Sequence, residues 1–129
     1  MNPIQVLLIE DNPTDVLLIE ETLSAVTSAQ FEVTHVERLG AALERLGEQR
    51  FDAVLLDLGL PDSQGLETFD KLHRQYPQIP IVVLTGLDDE TVAVQAVQAG
   101  AQDFLVKGQV DSHALARAIR HAIERQRAE

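Results

Sequence analysis

Apolar residues gather along this chain in short runs set apart at nearly even intervals. Four are distinct: Val6-Leu7-Leu8-Ile9, Phe31 to Val36, Ala53-Val54-Leu55-Leu56 and Ile81-Val82-Val83-Leu84; a fifth, Phe104-Leu105-Val106, is shorter. The first, third and fourth are rich in Val, Ile and Leu and do not alternate with polar residues, the pattern of strands covered on both faces in a parallel sheet. The second has polar residues interleaved and suits a sheet edge. Between the runs the apolar spacing changes to helical: Leu39, Ala42, Leu43 and Leu46 share one face, as do Leu66, Phe69, Leu72 and Tyr76, and again Leu115, Ile119, Ala122 and Ile123. Asn12 before Pro13 reads as an N-cap followed by proline at the first helical position, and Asp111 or Ser112 is placed to cap the last helix. Pro77 and Pro80 end the third helix and lead into the fourth strand.

Strand and helix therefore alternate in five units, about one every 25 residues. That alternation predicts an α/β fold: a doubly wound, five-stranded parallel sheet with helices on both faces and right-handed crossovers. No linker interrupts it, so residues 1–129 are expected to form a single domain. With 45% hydrophobic and 24% charged residues, the composition is that of an ordinary globular domain. The net charge of -11 changes the picture more, because it opposes nucleic acid backbones and anionic lipid and favours cations or basic partner surfaces. The lack of cysteine excludes disulfides, thiolate metal sites and cysteine nucleophiles. No stretch approaches the roughly 18 apolar residues of a membrane span, and the start lacks a basic segment followed by an apolar run, so a cytoplasmic location is expected.

In an open parallel sheet, ligands bind beyond the carboxyl ends of the strands, near the point where strand order reverses. The residues there are unusual. Strand one ends in Glu10-Asp11, strand three in Asp57, strand four in Thr85-Gly86 and strand five in Lys107-Gly108. Three carboxylates brought within about 5 Å repel by roughly 3 kcal/mol per pair at an effective dielectric near 20, so such a cluster needs a counter-charge or holds a proton. An oxygen-only donor set too small for a full protein cage suits Mg²⁺, which retains waters and shares phosphate oxygens. Lys107 can then offer a point charge to a bound phosphoryl oxygen. Each group also has a plainer reading: acids at strand-to-helix junctions cap helices, a threonine can simply finish a strand, and most lysines are solvated. Asp57 fits capping poorly, since Pro61 and Gly65 imply a loop before the next helix.

In this order and spacing, these residues resemble the receiver domains of bacterial two-component response regulators, including single-domain regulators of the chemotaxis type. The likeness runs from Ile4 to Arg125. Its motifs are Leu7-Leu8-Ile9-Glu10-Asp11-Asn12, Asp57-Leu58-Gly59-Leu60-Pro61 with Gly65, Leu84-Thr85-Gly86, and Ala99-Gly100-Ala101 with Asp103-Phe104-Leu105-Val106-Lys107. The resemblance implies the flavodoxin-like strand order 2-1-3-4-5 and a phosphorelay role. It makes Asp57 the phosphoacceptor, with Asp11, Asp57 and the Gly59 carbonyl as Mg²⁺ ligands and Glu10 acting mainly through water. Thr85 and Lys107 would hold phosphoryl oxygens, and Thr85 with Phe104 would form the switch. It further implies a regulatory domain that assists its own phosphorylation and dephosphorylation, not an enzyme. The phosphoryl donor would be a sensor histidine kinase or phosphotransfer protein. Output would pass to a downstream protein through the surface of helix four, strand five and helix five, without direct contact to nucleic acid or membrane; homodimerisation on phosphorylation is left open.

Three positions depart from the family pattern. Gly108 stands where most members have proline in a cis peptide; a cis bond before glycine costs about 2.5–4 kcal/mol, so this bond is expected to be trans or held strained. Phe104 replaces the commoner tyrosine and can pack but not hydrogen-bond outward. Gly59 and Leu87, where the family tunes phosphate lifetime, offer no polar side chain to orient water, so slow self-dephosphorylation is expected. His35, His73, His113 and His121 show no ligand spacing and read as surface or structural. The arginines at 117, 120, 125 and 127 give the last helix a basic side, read first as a solvated face. The competing functions are a degenerate receiver that binds partners without phosphorylation, a Mg²⁺-dependent phosphohydrolase, and a flavin carrier. The hydrolases need a second acid two residues after the nucleophile, where this chain has Gly59, and Glu10-Asp11 would repel a flavin phosphate.

Overall fold

The computed structural model describes residues 2–128. Five long strands, β1 (Ile4–Ile9), β2 (Phe31–Val36), β3 (Ala53–Asp57), β6 (Ile81–Thr85) and β7 (Asp103–Val106), form one parallel sheet in the order β2-β1-β3-β6-β7. Counting long strands alone, this is the expected 2-1-3-4-5. The interleaved strand β2 lies at an edge, where one flank of the ladder faces no neighbour. A two-stranded hairpin, β4 (Gly59–Leu60) and β5 (Ser63–Gln64), was not anticipated; it occupies the loop that Pro61 and Gly65 had marked.

Five helices cover the sheet: α1 (Pro13–Ser24), α2 (Leu39–Glu48), α3 (Leu66–Gln75), α4 (Glu90–Ala99) and α5 (Ser112–Ala128). Successive side chains of a strand point to opposite faces, and the uninterrupted apolar runs fill two cores at once. Leu7, Ile9, Val54, Leu56 and Val83 pack with Leu39, Ala42, Phe69, Leu72, Ala93 and Ala96 from α2, α3 and α4. Their neighbours Val6, Leu8, Leu55, Val82 and Leu84 pack with Val16, Ile19, Leu23, Leu115, Ile119 and Ala122 from α1 and α5. The middle layer is thus buried from both sides.

Local signals set the element ends. Asn12 caps α1, its Oδ1 accepting from the amides of Thr14 (2.9 Å) and Asp15 (3.3 Å). Of the two candidates at α5, Asp111 is the cap, accepting from the Ala114 amide at 2.8 Å. Helix α3 stops one residue before Tyr76-Pro77, and the Pro80 carbonyl accepts from the Val54 amide as β6 begins. The strand order reverses between β1 and β3, and that point places the site.

Candidate functional site

Glu10 and Asp11 leave the carboxyl end of β1, and Asp57 closes β3 beside it. Each of the three offers a carboxylate oxygen within 4.8 Å of the others. Their exposures differ sharply: Glu10 is fully buried, Asp57 half-buried and Asp11 exposed. Glu10 is held by both its backbone and its side chain. Its amide donates to the Val36 carbonyl (3.0 Å), its carbonyl faces His35 Nε2 (2.7 Å), and its Oε2 accepts from the Asn12 amide (3.2 Å). Donation to that carbonyl requires the His35 proton on Nε2, so His35 is structural, as expected.

Lys107 arrives from β7. Its amide donates to the Thr85 carbonyl at 2.8 Å, which carries the sheet ladder one residue further. Its ammonium meets Glu10 Oε1, lies 3.2 Å from Asp15 Oδ2 and 3.5 Å from Asp57 Oδ1. The Lys107–Gly108 peptide is trans, and Gly108 has φ +83°. Proline is fixed near φ -65° and could not take that conformation. Glycine at 108 lets the chain turn away while the Lys107 side chain still reaches the acids.

Electrostatics follow from this packing. Burial pushes the Glu10 carboxyl up to about 7, the neighbouring Asp57 charge pushes the same way, and Lys107 opposes both. For Lys107, burial alone acts downward; the Glu10, Asp57 and Asp15 carboxylates outweigh it, and its pKa is raised. One ammonium among four carboxylates leaves the rim net negative. The donors are oxygens only, which fits a hard divalent cation with retained waters.

The remaining expected residues line one cleft of about 630 Å³ with Asp57 and Lys107: Gly59 on one side, Thr85 and Gly86 on the other. Thr85 is 3% exposed, and its hydroxyl donates to the Gly86 carbonyl at 3.0 Å, not to Asp57. Phe104 is half-buried and packs on the core shared with α4. The side chain of Leu87 lies outside the described residues. Two residues of the site were missed from sequence. Asp15, in the first turn of α1, shares Lys107; its signal was its place four residues after Asp11. Asp89 also borders the cleft.

Fold and site together define a doubly wound α/β protein with an acidic, cation-attracting rim at the switch point, served by a lysine and a threonine. Comparison with known proteins agrees. Residues 6–120 match the model of the response regulator receiver domain, and the chain belongs to that family. It is 33% identical over 101 residues to the response regulator protein PilR of Pseudomonas aeruginosa, covering 78% of this chain and 22% of PilR. It is also 33% identical over 103 residues to the transcriptional regulatory protein KdpE of Staphylococcus aureus, covering 80% of this chain and 43% of KdpE. The chain thus spans less than half the length of these relatives. Among solved structures, full-length FixJ from B. japonicum superimposes with a TM-score of 0.85 at 28% identity, over 98% of this chain and 60% of FixJ. A response regulator receiver domain protein from Clostridium thermocellum gives 0.82 at 25% identity, covering 97% and 98%. The chain is a regulatory domain of phosphorelay signalling, a family whose members generally depend on Mg²⁺. No described helix is long and apolar enough to cross a membrane.

Proposed function

We propose that Asp57 accepts a phosphoryl group from the phosphohistidine of a sensor histidine kinase or phosphotransfer protein. An Asp57 carboxylate oxygen attacks phosphorus, the P–N bond breaks, and its electron pair returns to the imidazole. The product is an acyl phosphate. One observation carries this reading: an Asp57 oxygen stands within 4.8 Å of those of Glu10 and Asp11, with the Lys107 ammonium 3.5 Å away. Asp11, Asp57 and the Gly59 carbonyl would hold Mg²⁺, with Glu10 acting mainly through water. The ion would neutralise charge on the transferring group, leaving positioning and electrostatics to do most of the catalysis.

Lys107, now on Glu10 and Asp15, is within reach of an oxygen on phosphorylated Asp57. The added charge attracts the Thr85 hydroxyl from the Gly86 carbonyl, and Phe104 follows into the space beside α4. The α4-β7-α5 surface then changes, and with it the affinity for a downstream protein. The domain assists its own phosphorylation and slow dephosphorylation. No feature of the site favours the degenerate-receiver or phosphohydrolase alternatives over this one.

Intact mass after incubation with Mg²⁺ and a small phosphodonor tests the assignment. Wild type should gain one phosphoryl group and Asp57→Asn none; equal labelling of both would remove Asp57 from its role.

A further inference from the structure

Pro61 and Asp62 close the β4–β5 hairpin, and Asp62 at its tip reaches a neighbouring element. Its Oδ1 accepts from the Leu39 amide and its Oδ2 from the Gly40 amide, each at 2.9 Å. These are the first two amides of α2, whose own N-cap residue, Arg38, makes no side-chain capping bond. The opening amides of a helix have no partner within it. Asp62 satisfies two of them from more than 20 residues away. The Gly40 amide acts most strongly on the Asp62 carboxyl; burial opposes it, and the Leu39 amide, the residue's own amide and the Arg38 charge add to the lowering, so the carboxyl is held below its ordinary range.

The hairpin needs such a tie, because a two-residue antiparallel pair is not stable alone. Its base is fastened by the Gly65 amide to the Leu58 carbonyl (2.7 Å), and its side by Thr68 Oγ1 to Ser63 Oγ (3.0 Å). Between base and tip lies Gly59. It is exposed, and apart from its chain neighbours no atom lies within 4 Å of where a Cβ would stand, so beyond its pairing with Gln64 across the hairpin nothing packs on position 59. Its place follows that of the hairpin, which the anchors at either end hold.

We propose that Asp62 is a positioning residue: by clamping the hairpin tip onto the start of α2, it holds the Gly59 carbonyl in place for the cation at the acidic rim. The proposal rests on reading that rim as a Mg²⁺ site. Two effects of Asp62 have to be separated, the capping of α2 and the placement of Gly59. Arg38 has the extended backbone of an N-cap residue, φ -135° and ψ 152°, so Arg38→Asp can cap α2 locally without restoring the tether.

Titration calorimetry with MgCl2 and thermal melts on wild type, Asp62→Ala and Arg38→Asp/Asp62→Ala make the test. Asp62→Ala should melt lower and bind Mg²⁺ about tenfold more weakly, comparable to the low end of the cost of removing a residue that orients a metal ligand, although Asp62 acts here through the hairpin backbone. The double variant should regain the melting temperature but not the affinity. Asp62→Asn, which keeps one acceptor oxygen, should fall between and serves if the alanine variant fails to fold. Amide exchange at Leu39 and Gly40 should be slow in wild type and fast in Asp62→Ala. Unchanged Mg²⁺ affinity in Asp62→Ala, or recovery of both properties in the double variant, would overturn the proposal and leave Asp62 as a helix cap only. A wild type that binds no Mg²⁺ would overturn the metal reading as well, whereas slow exchange at Leu39 and Gly40 would still report the clamp.

Discussion

Glu10 is the residue on which the rim's chemistry turns. It is fully buried, its carboxyl is pushed up to about 7, and its charge is matched by Lys107. Below its ordinary value of 4.5 it is protonated in both folded and unfolded chains and contributes no pH dependence. Between 4.5 and about 7 the folded chain keeps a proton that the unfolded chain has lost, so this group lowers stability as pH rises through that window. Above it, the full cost persists. Melting temperatures of the metal-free protein from pH 4 to 8 should show this slope, and Glu10→Gln should flatten it. A slope unchanged in the variant would assign the effect to another group. Mg²⁺ binding near neutral pH should release protons, since its ligands bind as carboxylates.

Helix ends and junctions carry the next set of expectations. Asn12→Ala removes the acceptor for two α1 amides and should cost about 1 kcal/mol in urea unfolding. Gly100 follows α4 with φ +132°, and a Cβ there would meet His73 Nε2 at 2.9 Å, in a ring stacked on Phe69. Gly100→Ala should therefore cost roughly 1–3 kcal/mol, measured the same way, through backbone strain and displacement of the His73 ring. Elements of this kind were legible in the sequence where the cause was local. The apolar runs named the strands, and Asn12-Pro13 named the start of α1. Asp62 was not legible, because its partners are the Leu39 and Gly40 amides of a helix it does not belong to. Asp15 was hard to find for the same reason: it sits in the first turn of α1, and its partner Lys107 is 92 residues away in sequence. Gly108 was read as a departure from the family's cis proline, with a bond either trans or strained; the bond is trans, and the positive φ shows how the loop turns without proline.

For the molecule as a whole, the two-faced sheet explains why the site's place could be derived before its members were all known. Strand order fixes a switch point, and motifs at four strand ends need only point to the same rim. The acidic excess is part of the same design, since a net charge of -11 concentrates cations around the chain. Binding to the folded state alone is stabilising, by about 2.7 kcal/mol when free Mg²⁺ exceeds its dissociation constant 100-fold. Mg²⁺ should therefore raise the melting temperature, and Asp57→Asn should blunt the rise; an equal rise in both would place the ion elsewhere.

Residue-resolved amide spectra during MgCl2 addition address the shared acidic pocket directly. One saturable process should shift Asp11, Asp57, Gly59 and Lys107 together and vanish in Asp11→Asn. Shifts that fail to saturate, or that fall on exposed acids away from the ends of β1 and β3, would contradict a single magnesium-holding rim.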